Sequence, residues 1–225
     1  MTASGRGPLL AIDTATSHAV VALEQPGGPP AVASWPAGQR HGEELLAAIE
    51  RLLASAEIET EALGGIVVGT GPGAFTGLRV GLATAKGLAH ALGVPIVGIA
   101  TASALLAPAE GESAGSRILL LPAGPRDRVI VDVDGVRLLS AGTEPVIPAG
   151  SELIALDLDG RAPAEALALG RAAQGRLGPT LLRLGAARLA SGAADDLARL
   201  VPEYVSLPRG VTALGGTIEW SRDLR

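Results

Sequence analysis

At 225 residues, 48% of them hydrophobic, the chain is long and apolar enough to bury a core, which argues against a disordered polymer. Its 2% aromatic content and formal net charge of −5 argue against a base-stacking single-strand binder and give no charge-driven pull toward nucleic acid or anionic membranes. The lack of cysteine removes disulfides, thiol nucleophiles and cysteine metal sites together, and no apolar run is long enough for a signal peptide or a spanning helix, so a cytoplasmic chain with no membrane contact is expected.

The first three apolar runs, residues 9–13, 19–23 and 31–35, read as strands separated by the turn formers TATS and QPGGPP. Such short breaks favour an antiparallel meander. Residues 43–55 change to helical period, with Leu45, Ile49, Leu52 and Ala56 on one face and Glu43 and Glu44 in the first turn, where the helix dipole favours acids. A short strand, GGIVVGT, leads into a helix carrying Leu78, Leu82, Ala85, Ala89 and Leu92. GVPIVGIA reads as another buried strand and TASALLA opens a further helix, so the order through residue 107 is βββαβαβα. A meander followed by crossover helices predicts a mixed sheet. Residues 108–116, PAEGESAGS, are the linker candidate. Strands near 117–121, 129–133 and 137–139, the apolar ELIALDLDG, and helical stretches at 163–173 and 180–190 then form a weaker second half. The expected division is a first lobe over 1–107 and a smaller α/β lobe over 108–225.

Glycines 69, 71, 73, 77 and 81 crowd the connection VVGTGPGAFTGLRVG. They read in two ways from the residues alone. GTGPGA matches a G-x-G-x-x-A phosphate turn, but Pro72 removes a backbone N–H and no acid follows the next strand to hold a ribose. The position of Lys86 excludes a Walker loop. Alternatively, Gly77, Gly81, Ala85 and Ala89 recur every four residues and form a small-residue ridge. Each glycine in a helix costs about 1 kcal/mol relative to alanine, so a close second backbone is expected: the helix 43–55, an identical helix, or another protein. The expectation is an interface between chains.

Catalytic chemistry is not expected. His18, His41 and His90 stand alone, which predicts no metal centre. Ser17 beside His18 is adjacency and not a triad, and no G-x-S-x-G occurs, so no catalytic residue is assigned.

The stretches LLAIDTATSHAVVAL, HGEELLAAIERLL and VGTGPGAFTGLRVGLATAKGLAHALGVPIVGIATASAL together resemble the bacterial TsaB (YeaZ) family over most of residues 8–107. The element order likewise resembles the ribonuclease H-like half-domain of the actin and hexokinase superfamily. The resemblance implies a two-lobed actin-like α/β fold with mixed sheets and a reduced second lobe. It implies a non-catalytic scaffold role in making N6-threonylcarbamoyladenosine in tRNA, beside a catalytic paralogue, TsaD, and an ATPase, TsaE. A homodimer when alone and tRNA contact mainly through the partner belong to the same expectation. The partner face is expected at Leu46, Leu53, Gly77, Arg79, Gly81, Leu82 and Lys86. Actin-like ATPases place an Asp-x-Gly phosphate hairpin where Asp13 and Thr14 stand, but Ala15 takes the glycine position, so no tightly bound cofactor is expected and ATP or ADP is assigned to the complex. The catalytic relatives carry histidines where this chain has Ala100, Thr101, Ala102 and Leu105. The second half departs from the family: LPAGPRDRVIVDVDG offers only Gly124 and Arg126 for an Asp-Ala-Arg-type stretch, while a proline–tyrosine motif survives as Pro202 and Tyr204. The alternative is a free-standing actin-like ATPase or kinase, which ATP turnover by the pure chain would reveal.

Overall fold

The computed structural model describes residues 7–37, 41–109, 111–112 and 115–204. Strands β1 (Leu9–Asp13), β2 (His18–Leu23) and β3 (Ala31–Pro36) form the antiparallel meander. β4 (Gly65–Gly69) and β5 (Ile96–Ile99) add in parallel on the other side of β1, giving the order β3-β2-β1-β4-β5. β1 and β4 are buried along their whole length, as central strands covered on both faces must be, and their near-continuous apolar runs follow from that. Helices α1 (His41–Ser55) and α2 (Phe75–Leu92) cover one face. Leu45, Ile49, Leu52, Leu53 and Leu82 there meet Leu10, Ile12, Ile66 and Val68 in one core cluster. α2 stops at Gly93, whose left-handed backbone (φ 65°) lets its N–H close onto the last turn.

The second sheet has the order β8-β7-β6-β9, from β6 (Arg117–Pro122), β7 (Arg128–Asp132), β8 (Gly135–Leu139) and β9 (Glu152–Ala155). Helices α3 (Thr101–Leu106) and α5 (Leu177–Ala190) lie in the layer between the sheets, where Leu105, Leu177 and Leu181 share a cluster with Leu9, Val67, Leu119 and Val129. Burying one such leucine stabilises the fold by about 2 kcal/mol. α4 (Ala164–Gly175) packs along β9, close enough that a methyl on Gly170 would strike the Ala155 carbonyl.

Two features differ from the sequence expectation. α5 begins at Leu177, three residues before the expected 180, because Pro179 falls in the first turn, where a missing N–H has no partner to lose. The division at residue 107 also departs from the packing. α5 lies on the first sheet, with Gly178 against Val20 and Ala22 and Gly185 against Val67. Residues 193–204 then run as a strap along β5: Asp195 N–H donates to the Ile96 carbonyl at 2.8 Å and Glu203 N–H to the Thr70 carbonyl at 2.8 Å. The first sheet is therefore completed by the end of the described chain.

Candidate functional site

The site is built around the turn between β1 and β2. Asp13 ends β1 and is fully buried. Its Oδ1 accepts the Ala15 N–H at 2.8 Å, an Asx-type turn, and its Oδ2 accepts the Thr101 hydroxyl at 2.6 Å. Thr101 Oγ1 in turn accepts the Gly71 N–H at 3.0 Å, so one carboxylate ties the β1 end, the glycine loop and the start of α3. Burial pushes the Asp13 carboxyl up to about 6, against the two hydrogen bonds, which favour its ionised form.

The glycines now have a partner, and it is this turn. A methyl on Gly69 would strike the Asp13 carboxylate, one on Gly73 the Ala15 carbonyl, one on Gly77 the Thr14 carbonyl and one on Gly81 the Thr14 hydroxyl. The Thr14 hydroxyl donates to the Gly77 carbonyl at 2.6 Å, and Ala74 N–H donates to the Ala15 carbonyl at 2.6 Å. This corrects the placement of Gly77 and Gly81 on a partner face: the ridge is consumed inside the chain. It also corrects the assignment of Asp13 and Thr14 to a nucleotide, because both side chains are turned inward and bonded to protein.

Leu53 and Leu82 are corrected in the same way, since both are buried in the cluster under α1 and α2. Arg79 and Lys86 reach the strap. Arg79 Nε donates to the Tyr204 hydroxyl at 3.0 Å, and its guanidinium lies 3.7 Å from the centre of the Phe75 ring, which packs 4.9 Å from the Tyr204 ring. Lys86 Nζ donates to the Leu200 carbonyl at 3.2 Å. Arg79 nevertheless remains exposed, and Leu46 is 50% exposed. Ala83, Gly87 and Ala91, also spaced by four, form a second small-residue row on the exposed side of α2.

Between the sheets lies a cleft of about 440 Å³, lined by Ala15, Thr16, Ser17, Gly73, Phe75 and Tyr204 from one side and by Leu121 to Gly124 and Asp157 from the other. Among the described residues no lysine or arginine side chain lines it. Asp157 accepts the Ser17 N–H at 2.7 Å and the Ser17 hydroxyl through its other oxygen. Gln174 Nε2 donates to Thr16 Oγ1 at 3.0 Å. Ser17 Oγ is 3.1 Å from His18 Nδ1, and its hydroxyl donates to Asp157, so the three groups do not stand in the serine–histidine–carboxylate order of a triad. Among the described residues no three His, Cys, Asp or Glu side chains gather as metal ligands, and no helix is long and apolar enough to cross a membrane. The His41 side chain lies outside the described residues.

Sequence reasoning missed Asp157, Asp195 and the role of Thr101. Asp195 accepts the Gly98 N–H at 2.7 Å and pairs with Arg188 at 2.8 Å, and Arg188 also donates to the Gly98 carbonyl at 2.6 Å. The glycine of PIVGIA was a signal: a side chain on Gly98 would meet Leu200 and Thr70, so something had to cross there.

The model of the family TsaD: tRNA N6-adenosine threonylcarbamoyltransferase matches residues 8–167. An uncharacterised protein of Mycobacterium leprae is 39% identical over 104 residues, covering 43% of this chain and 28% of that protein. The tRNA threonylcarbamoyladenosine biosynthesis protein TsaB of Escherichia coli is 31% identical over 111 residues, covering 49% of this chain and 48% of that protein. The match thus spans less than half the length of these curated relatives. Among solved structures, YeaZ from Pseudomonas aeruginosa superposes with a TM-score of 0.66 at 22% identity, covering 88% of this chain and 100% of that one. The α/β fold with mixed sheets and the resemblance to TsaB (YeaZ) both stand.

Proposed function

The chain belongs to the TsaD family of tRNA N6-adenosine threonylcarbamoyltransferases, and we propose that within it this protein is an accessory subunit that holds a TsaD-type catalytic partner in its working arrangement and performs no chemistry alone. One observation carries this reading. The groups that an actin-like hairpin would turn toward a substrate are spent within the chain: Asp13 on Ala15 and Thr101, Thr14 on Gly77, and Ser17 on Asp157. A protein so satisfied internally contributes through its surface.

The surface in question is the outer side of α1 and α2. Leu46 is its apolar anchor, Arg79 its charge, and the row of Ala83, Gly87 and Ala91 lets a partner helix approach closely. Gly87 has open space around it among the described residues, none of which requires a glycine there. The same face serves a homodimer when the partner is absent. A TsaE-type ATPase joins the assembly, tRNA is held mainly by the catalytic partner, and ATP or ADP is bound by the complex. The protein works in the cytoplasm. A stable complex of this kind buries at least about 1,000 Å².

The test is co-purification with the TsaD-type protein of the same cell. The parent chain should form a complex, and Leu46→Asp should weaken it by at least about tenfold, or about 1.4 kcal/mol, with an unchanged melting temperature. No complex with the parent chain contradicts the partnership, and full binding by Leu46→Asp contradicts the face.

A further inference from the structure

The inner face of the second sheet extends further than the helices that cover it. Leu121, Val129 and Leu138 stand side by side across β6, β7 and β8, and so do Leu119, Val131 and Val136. The first two of each row are buried in the core cluster that α3 and α5 share. The third is not: Val136 is 48% exposed and Leu138 54%, and Val133 in the turn between β7 and β8 is 92% exposed. β8 is also the edge of its sheet among the described residues. The result is an apolar shelf that starts at the cleft-lining Leu121 and ends uncovered at β8.

The end of the described chain lies beside the start of this shelf. Tyr204, the last described residue, lines the cleft together with Leu121. From Leu121, Leu138 is two strand spacings away, about 10 Å. Residues 205–225 follow Tyr204 in sequence and carry Ile218 and Trp220, the latter one of two tryptophans in the chain. Ile218 stands fourteen positions after Tyr204, a length of chain that spans about 20 Å on average and about 50 Å at most.

We propose that residues 205–225 of the same chain cover the shelf, with Ile218 and Trp220 against Val136 and Leu138. Val136 and Leu138 share a face because they are two apart on a strand, and Ile218 and Trp220 are likewise two apart, alternating with the polar Thr217 and Glu219. A tryptophan seated there removes about 150–250 Å² of its surface from water. An apolar sheet edge covered from within is kept from pairing with other molecules. This cover is intramolecular and does not depend on a catalytic partner.

The experiment reads Trp220 in the full chain with no partner present. The difference between the emission spectra of the parent and of Trp220→Phe isolates this tryptophan from Trp35. Trp220 should emit at shorter wavelength than free N-acetyltryptophanamide and resist acrylamide quenching, equally at every protein concentration. Leu138→Asp, made in both backgrounds, should move that emission to the position of the free indole with circular dichroism unchanged. Val136→Asp takes its place if Leu138→Asp does not fold. Leu46→Asp, on α1, should leave Trp220 as it is. Trp220 that emits as a free indole in the parent, or protection that survives the shelf variants, overturns the proposal. Release on dilution would give the shelf to a second copy, and release by Leu46→Asp would put Trp220 on the other face; either result overturns it too.

Discussion

Asp13 shows how a residue suited to a ligand becomes part of the frame. Its carboxylate is fully buried and held by two neutral donors, and burial raises its pKa from 3.8 to about 6. The native state therefore binds this proton more tightly than the unfolded chain does. The contribution of Asp13 to stability is whole below pH 3.8 and is lost as pH rises through about 6. Asp13→Asn cannot titrate and supplies the reference. The parent should lose on the order of 3 kcal/mol relative to that variant between about pH 4 and pH 7, measured by urea unfolding at each pH. A flat or rising difference contradicts the burial account.

The glycines of α2 make an opposed pair at the same scale. Gly77→Ala drives a methyl into the Thr14 carbonyl, which is backbone and cannot step aside cheaply, so it should destabilise by about 1–3 kcal/mol. Gly87→Ala meets nothing among the described residues and removes a helix-interior glycine, so it should stabilise the isolated chain by up to about 1 kcal/mol. Thermal melting of the two variants checks both signs.

At the scale of elements, the strap 193–204 matters most for what it covers. β5 is an edge strand, and the strap meets that edge through Asp195, whose N–H donates to the Ile96 carbonyl and whose carboxylate accepts the Gly98 N–H, while Glu203 bonds Thr70 just past β4. Asp195→Ala removes the acceptor of the Gly98 N–H and the partner of Arg188. It should cost about 1–3 kcal/mol and speed hydrogen exchange at the Gly98 amide, and unchanged exchange would mean that the strap does not hold the edge. The regular elements were legible because period and punctuation agree: the breaks TATS and QPGGPP, and the helical spacing of Leu45, Ile49 and Leu52. The strap was illegible because it has no period, and its anchors pair with groups 97 and 133 residues away in the chain. The glycine ridge was legible as a close approach. Its partner was not, since Thr14 lies 63 residues from Gly77 and nothing in a spacing of four says which backbone arrives.

For the whole molecule, the two sheets share a helical layer, and the cleft between them is bridged by Ser17–Asp157 and Gln174–Thr16. A body bridged in this way presents α1 and α2 as a fixed surface, which suits a subunit that positions another protein. With Asp13, Thr14 and Ser17 bonded internally, the account leaves catalysis to the partner. The measurement that tests this most directly is reconstituted threonylcarbamoyl transfer to tRNA, run with the TsaD-type partner alone, with this chain alone, and with both. The account predicts transfer only when both are present, and transfer lost with Leu46→Asp. Full transfer by the partner without this chain, or transfer by this chain alone, would contradict it.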